Sequence, residues 1–270
     1  MDEVDPGRRP VIPQLIEWLT DPAHWRGPDG IPKRLLEHLY YCLVAAGFAT
    51  LVALPVGLFI GHTGRGGTLL VGAGNALRAL PTLGLVTFLY LVVGGTQTAT
   101  LIGLVVLAVP PILAGAYSGV QQVDRRVVDA AVGVGMTRWQ RLWQVEVPNA
   151  MPLILGGIRN AVLQVVATAA VAAYVGLGGL GRYVLDGIRA VDYPKVLAGA
   201  LLVALLAILL DVVLSGVQWL VVPAGLRTAG VGDVGRRRPR RPARREVRGE
   251  TTDTGGGRVD GGAGHGLRKR

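Results

Sequence analysis

Residues 123–152 read VDRRVVDAAVGVGMTRWQRLWQVEVPNAMP and lie between two long apolar stretches of the chain. The residues before Gly133 favour a short helix, and the glycines that follow allow the chain to turn. Thr137 can cap a second short helix, predicted over Arg138–Val145, because its hydroxyl can accept from a free N–H of the first turn. Pro148 is predicted to end that helix where the next membrane helix starts. We therefore expect two short helices around a glycine elbow, with large apolar side chains that must pack on the protein or on a partner.

Apolar stretches dominate the sequence on both sides of this segment. A helix needs about 20 residues to cross the ~30 Å hydrocarbon layer of a membrane. The second stretch is interrupted by Arg78 and Pro81, so a broken or kinked helix is expected there. The fold class predicted is an all-α polytopic membrane protein with five transmembrane helices. The predicted spans are Leu39–Ile60, Thr68–Val93, Thr98–Tyr117, Ala150–Tyr174 and Val196–Val222.

Composition supports a membrane protein and excludes several other classes. Half of the 270 residues are hydrophobic and only 17% are charged, whereas a soluble domain usually carries about 25% charged residues. A single cysteine rules out a disulfide scaffold and a cysteine-built metal or iron–sulfur centre. The four histidines show no metal-ligand spacing, so we expect no metal site and no catalytic triad.

Charge is distributed unevenly and predicts the orientation. The tail after residue 222 holds 13 basic and 5 acidic residues. Because basic segments stay on the cytoplasmic side, we expect a cytoplasmic C-terminus, a cytoplasmic 118–147 loop and, with five spans, an N-terminus outside.

The two ends are predicted to differ from the transmembrane domain, residues 39–222. Residues 1–38 are expected to be an extracytoplasmic segment without a signal peptide, in which Ile12–Trp18 forms a short amphipathic helix at the membrane surface or a cap on the domain. Residues 223–270 are expected to be a disordered basic cytoplasmic tail. The tail either contacts anionic lipid headgroups or only enforces topology. Its run RRRPRRPARR lacks aromatic residues for base stacking, so we expect no nucleic-acid partner.

The spacing within the quoted segment matches a known signature. Asp129–Ala131, Gly135, Val145 and Val147–Pro148 resemble the EAA signature of ABC importer permeases, which runs Glu-Ala-Ala, three residues, Gly, nine residues, Ile, one residue, Leu-Pro. The spacing agrees at every position, with Asp for Glu and Val for Ile and Leu. We call residues 118–147 the signature loop.

The resemblance implies a five-helix core of the type I, methionine-importer-like fold in a multi-pass protein of the cell membrane. In that family the loop docks in a groove of a cytoplasmic ABC ATPase. The other implied partners are an extracytoplasmic substrate-binding protein, a second copy or a paralogous permease, and the lipid bilayer. Docking residues implied by the resemblance are Asp129, Ala130, Ala131, Gly135, Met136, Thr137, Arg138, Trp139, Leu142 and Pro148.

The chain contains no G-x-x-x-x-G-K-[ST] phosphate-binding loop. We therefore expect it to be no enzyme and to bind no cofactor, with ATP and Mg on the partner ATPase. Gly176, Gly178 and Gly181 satisfy G-x-G-x-x-G, but they follow a long apolar span rather than a strand, so we reject a dinucleotide site. The segment is read either as a flexible extracellular turn or as a gating loop buried in protein beneath the binding protein.

Scattered motifs outside the loop resemble the osmoprotectant branch of these permeases, which imports glycine betaine, choline, proline betaine or carnitine. They are Asn75 with Pro81–Thr82, Pro111–Leu113, Asp129–Thr137, Gly156–Arg159 and Gly176–Gly181. Another small solute such as methionine is the alternative substrate, and a self-sufficient secondary transporter is the alternative class. Candidate residues of the translocation path or gate are Asn75, Pro81, Thr82, Arg159, Thr168, Gly178, Gly179 and Asp211.

Two opposite charges lie at matching depth in the fourth and fifth predicted spans. Arg159 and Asp211 are each about nine residues from the cytoplasmic end, roughly 13 Å deep at 1.5 Å per residue. An unpaired charge there is costly, so we expect the two to pair. Arg78 is a rival partner for Asp211, and Arg159 alternatively lines the passage or extends to the interface.

Overall fold

The computed structural model describes residues 10–95 and 97–222, apart from the side chains of residues 70, 71, 75 and 78. Within these ranges the regular structure is helical. Four helical segments are long and apolar enough to cross a membrane: Ile31–Thr63, Gln97–Gln121, Arg138–Val175 and Tyr193–Val221. The helices are α1 Val11–Thr20, α2 Ile31–Thr63, α3 Gly67–Ala79, α4 Thr82–Val92, α5 Gln97–Gln121, α6 Arg125–Gly133, α7 Arg138–Arg141, α8 Val147–Ala172, α9 Gly181–Ala190 and α10 Tyr193–Val221.

The second predicted span is divided, as its proline indicated. α3 ends at Ala79, Leu80 is extended with ψ 134°, and α4 begins after Pro81. A residue before proline is forced out of the helical region, which explains the break. The 11 residues of α4 span about 16 Å at 1.5 Å per residue, well short of a bilayer. The predicted broken helix is confirmed, whereas a fifth helix of crossing length is not found in the described residues.

The first long helix starts earlier than predicted. α2 begins at Ile31, not at Leu39, and crosses the predicted boundary between an N-terminal segment and the transmembrane domain. The charges at Arg34 and Glu37 made this stretch resemble a polar segment. In the structure they lie three residues apart on one helix face and form an ion pair of 2.8 Å.

The second short helix of the signature loop is not separate from the membrane helix, contrary to the prediction. Helical structure runs unbroken from Arg138 to Val175. Residues Leu142–Glu146 form a π-helical turn, in which the N–H of Val147 donates to the carbonyl of Leu142. In a π-turn the backbone N–H donates to the carbonyl five residues back instead of four. Pro148 has no N–H to donate and is the second residue of α8, so it is tolerated at the start of this helix instead of ending α7.

Close contacts between small residues hold α2, α5 and α8 together. A Cβ on Gly115 of α5 would lie 2.8 Å from the Cα of Gly157 on α8. On α2, a Cβ on Gly57 or Gly61 would lie 2.7 Å or 2.8 Å from a side chain of α5. Lipid tails are as apolar as side chains, so membrane helices associate mainly through such close packing. The main core forms along these three helices, with Leu104, Val166 and Leu177 among its buried members.

The N-terminal helix and the glycine-rich segment are both packed into the fold. The predicted helix over Ile12–Trp18 is present as part of α1. The ring of Trp18 contacts the ring of Tyr183 on α9 edge-on, with 5.4 Å between the ring centroids. The Trp18 face of α1 therefore packs on the domain, while Ile12 and Ile16 remain exposed. The connection between the fourth and fifth predicted spans contains the helix α9, which begins at the last glycine of the glycine-rich segment, Gly181. The expected basic tail and residues 1–9 lie outside the described residues.

Candidate functional site

The signature loop is built by three local signals. The Asp124 carboxylate accepts from the N–H of Arg126 at 2.9 Å and starts α6. Gly135 adopts φ +82°, the left-handed conformation that favours glycine, and turns the chain. Thr137 and Gln140 form a capping box at the start of α7, with hydrogen bonds of 3.3 Å and 2.8 Å. The predicted elbow and the Thr137 cap are therefore confirmed.

This loop exposes apolar surface that the protein itself does not cover. The side chains of Val134 and Trp139 are 76% and 68% exposed, and Trp143 is also exposed. Of the predicted docking residues, Asp129, Ala130, Gly135, Thr137 and Arg138 are exposed, Met136 and Pro148 are half-buried, and Ala131 and Leu142 are buried. Exposed apolar residues clustered outside a bundle mark an interaction surface. The loop is thus a capped elbow with exposed apolar side chains.

A groove of about 610 Å³ separates the C-terminal half of α2 from α7 and the start of α8. Phe59 lines it from α2, and Trp139 and Trp143 line it from the loop side. Direct apolar packing between the loop and α2 is therefore incomplete here.

A buried carboxylate contacts His62, one of the residues that line this groove, and the sequence did not single it out. Glu146 is 3% exposed. One oxygen accepts from Nε of Arg141 at 2.8 Å, and the other lies 2.6 Å from Nδ1 of His62 at the end of α2. Glu146 is the unspecified residue between Val145 and Val147 of the signature, and His62 lies in no motif, so no sequence pattern links the two.

The predicted ion pair between the fourth and fifth spans is present. Nε and one terminal nitrogen of Arg159 donate to the two carboxylate oxygens of Asp211 at 2.6 Å and 2.7 Å. The bidentate geometry matches the planar guanidinium to the carboxylate. Each side chain keeps about one third of its surface exposed, 34% and 33%. The side chain of the proposed rival, Arg78, lies outside the described residues.

The glycine-rich segment is buried in protein at the opposite end of α2. Glu37 accepts from the N–H of Gly179 at 3.0 Å, and a Cβ on Gly178 would lie 2.5 Å from the same carboxylate. Leu177 and Leu180 are fully buried. Tyr183 donates to the backbone carbonyl of Asp29, and burial raises the pKa of its hydroxyl to about 12, so it remains protonated at neutral pH. The burial of this segment and its bond to α2 agree with a loop buried in protein rather than with an exposed turn.

The remaining candidate path residues do not converge on one site. Pro81 and Thr82 are exposed at the joint between α3 and α4. Thr168 is buried, and its hydroxyl donates to the carbonyl of Gln164 at 2.8 Å within α8. The Asn75 side chain lies outside the described residues. The predicted path is thus spread over this joint, the Arg159–Asp211 pair and the Gly178–Gly179 segment.

The described residues thus form a helical bundle with four segments long enough to cross a membrane and an exposed, capped elbow between two of them, an arrangement typical of a membrane protein that binds a partner. A family described as "Binding-protein-dependent transport system inner membrane component" matches residues 53–224. The chain belongs to this family and is a permease subunit of an ABC importer.

Similar proteins of this family include permeases named for osmoprotectants. The glycine betaine/carnitine/choline transport system permease protein of Bacillus subtilis (strain 168) is 32% identical over 71% of this chain and 88% of its own. The osmoprotectant import permease protein of Salmonella typhimurium is 36% identical over 71% and 91%. A chain of the inward-facing MetNI methionine ABC transporter has the same fold, with a TM-score of 0.62 and 22% identity over 70% of this chain and 94% of that one.

Proposed function

We propose that this permease imports small quaternary ammonium osmoprotectants of the glycine betaine, choline and carnitine type. The observation that supports this substrate class most directly is the identity of 31–36% to permeases named for these solutes in Bacillus and Listeria and for osmoprotectants in Salmonella. The motifs that resemble the osmoprotectant branch point the same way. Methionine remains the alternative substrate.

The proposed mechanism is alternating access across a pair of permeases. ATP binding draws two ATPase subunits together, and each moves a signature loop with it, so that the helical bundles change from inward-open to outward-open. The energy comes from ATP and Mg on the ATPase chains, and this chain supplies no catalytic group. A binding protein delivers solute from outside. A second copy or a related permease completes the passage.

The orientation follows from the same assignment. A signature loop that docks an ATPase must face the cytoplasm, and its four arginines favour that side. With α3 and α4 together taken as one further crossing, this orientation puts the N-terminus outside and the C-terminus in the cytoplasm. The Gly178–Gly179 segment, bonded to the opposite end of α2, would lie on the outer side, where a binding protein approaches.

Docking of the ATPase on the signature loop can be tested with substitutions at Gly135 and Asp129, with a substitution at Gly133 as the control. Gly135 has φ +82°, so a β-branched residue there strains the elbow by about 1–2 kcal/mol. We expect Gly135→Val to abolish uptake and ATPase co-purification while membrane insertion persists, and Asp129→Arg to do the same by placing a bulky cation on the docking face. Gly133→Ala is the matched control, because a Cβ there meets no atom within 4 Å. Normal uptake and normal ATPase binding in both Gly135→Val and Asp129→Arg would disprove docking at this loop.

The substrate class is tested in vesicles that contain the permease, its ATPase and its binding protein. Radiolabelled glycine betaine, choline and carnitine should enter in an ATP-dependent manner and compete with one another. Radiolabelled methionine should neither enter nor compete. Methionine uptake without quaternary ammonium uptake would replace the proposed substrate while retaining the permease class.

A further inference from the structure

Glu146 is the feature of the described residues that the docking function does not explain. It belongs to neither the exposed docking face nor the Arg159–Asp211 pair. A carboxylate at 3% exposure is costly unless charged or hydrogen-bonding groups satisfy both oxygens. Here both are satisfied, one by Arg141 at 2.8 Å and the other by His62 at 2.6 Å.

The two partners of Glu146 come from different parts of the chain. Arg141 is the last residue of α7 within the signature loop, and His62 lies at the C-terminal end of α2, 84 residues away from Glu146 in sequence. The carboxylate therefore joins the docking loop to the first long membrane helix. A second bond, from Gln121 to the carbonyl of Gly61 at 2.7 Å, holds the end of α5 to the same turn of α2.

The local backbone gives this connection a special position. Glu146 is the last residue of the π-helical turn between α7 and α8. Such turns place one residue out of the α-helical register and are frequent at functional sites. On the neighbouring surface, the 610 Å³ groove separates Phe59 of α2 from Trp139 of the loop. Apolar packing alone therefore leaves a gap between α2 and α7, and the contacts of Glu146 with Arg141 and His62 connect the two helices beside this gap.

We propose that Glu146 is a positioning residue for energy coupling, which ties the signature loop to α2 so that displacement of the loop by the ATPase moves the first membrane helix. The proposal rests on the proposed docking of an ATPase at this loop. The loop is covalently continuous with α5 and α8, and the Gln121–Gly61 bond already joins the end of α5 to α2. The Glu146 contact adds a direct link from α7 and the π-helical turn to α2. With the Arg141–Glu146–His62 contact in place, α2 follows the same displacement, and the opposite end of α2 holds the Gly178–Gly179 segment through Glu37.

The test uses the complete importer in vesicles, with ATP hydrolysis and glycine betaine uptake measured in the same preparation. Glu146→Gln keeps the size of the side chain but removes its charge. We expect basal ATP hydrolysis to remain close to wild type and the melting temperature to fall only slightly, because a glutamine side chain can still hydrogen-bond to Arg141 and His62. Stimulation of hydrolysis by the binding protein, and solute transported per ATP, should fall by about tenfold, the change that ~1.4 kcal/mol of lost coupling produces. His62→Gln changes the other partner and should act in the same direction.

Asp186→Asn is the matched control. Its carboxylate also pairs with an arginine, Arg182 at 3.2 Å, but both residues lie on α9, so the pair joins no separate elements. This variant should couple normally. The double variant His62→Gln with Glu146→Gln should lose no more coupling than the more strongly affected of the two single variants. The reason is that the two side chains act through one contact.

Two outcomes would overturn the proposal. One is a wild-type ratio of solute to ATP in Glu146→Gln and His62→Gln. The other is a parallel loss of thermal stability, basal hydrolysis and uptake in both variants, which assigns the cluster to folding alone. If the wild-type importer takes up no glycine betaine, the proposed substrate fails, and stimulation of ATP hydrolysis by the binding protein still tests Glu146.

Discussion

Buried or half-buried carboxylates connect elements of this protein that are distant in sequence. Glu37 bonds to Gly179, Glu146 to His62 and Asp211 to Arg159. Only the last pair was predictable, because two isolated opposite charges at equal depth in apolar spans have few other partners. Glu37 and Glu146 lie in polar stretches that contain several other charges. Nothing in such a pattern shows which of them the fold buries.

The ion pair between Arg159 of α8 and Asp211 of α10 leads to a prediction about protein stability. Asp211→Ala leaves Arg159 without its bidentate partner among apolar side chains, so we expect a lower melting temperature of the detergent-solubilised protein. The reversed pair, Arg159→Asp with Asp211→Arg, should restore part of the loss, since the two side chains can again meet. Thermal unfolding followed by fluorescence measures both variants. An Asp211→Ala protein as stable as wild type, or a reversed pair less stable than either single variant, would contradict the pairing as a stabilising contact.

At the scale of elements, local signals were reliable where they act within a few residues. The break at Pro81 and the Thr137 cap follow from proline geometry and from side-chain capping, and both are present. The join of α7 to α8 was missed because a π-turn has no simple apolar period. The start of α2 at Ile31 was missed because Arg34 and Glu37, in its first two turns, make the stretch look like a polar segment. Their ion pair is visible only in the structure.

The glycines of α8 give a prediction at the element scale. A Cβ on Gly157 would lie 2.8 Å from the carbonyl of Pro111 and 2.9 Å from the Cα of Gly115, whereas a Cβ on the adjacent Gly156 meets no atom within 4 Å. Gly157→Ala should therefore destabilise the packing of α5 on α8 by about 1–3 kcal/mol. Gly156→Ala should be neutral or stabilising by about 0.5–1 kcal/mol through helix propensity.

Unfolding of the purified permease in a denaturing-detergent titration measures the two alanine variants side by side. The comparison separates packing from propensity, because the substitutions differ only in which face of α8 receives the methyl group. Equal stability of the two variants would show that the close approach of Gly115 and Gly157 does not hold the helices together.

Within residues 10–95 and 97–222, large apolar side chains face outward, and polar side chains form contacts between helices. Large side chains of α10, such as Leu205, Ile208 and Leu209, are exposed, as expected for a surface facing lipid or a second permease. The sequence predicted this class because long apolar stretches are unambiguous. It did not predict which of their faces meet, since α10 is apolar around its whole circumference and has little periodicity.

The distribution of aromatic residues leads to a prediction about where solute is recognised. A quaternary ammonium group donates no hydrogen bond and is held best by aromatic faces within about 6 Å. Tyr90, Tyr117 and Tyr174 belong to three different helical segments, and none of them pairs with another ring within the described parts of the chain. We therefore expect the purified permease to bind glycine betaine no more tightly than the millimolar range, about −4 kcal/mol, while its binding protein binds in the micromolar range, about −8 kcal/mol. Isothermal titration of each component, with choline as a second probe, measures the difference. A micromolar affinity of the permease alone would contradict this division and would place a recognition site within the membrane bundle itself.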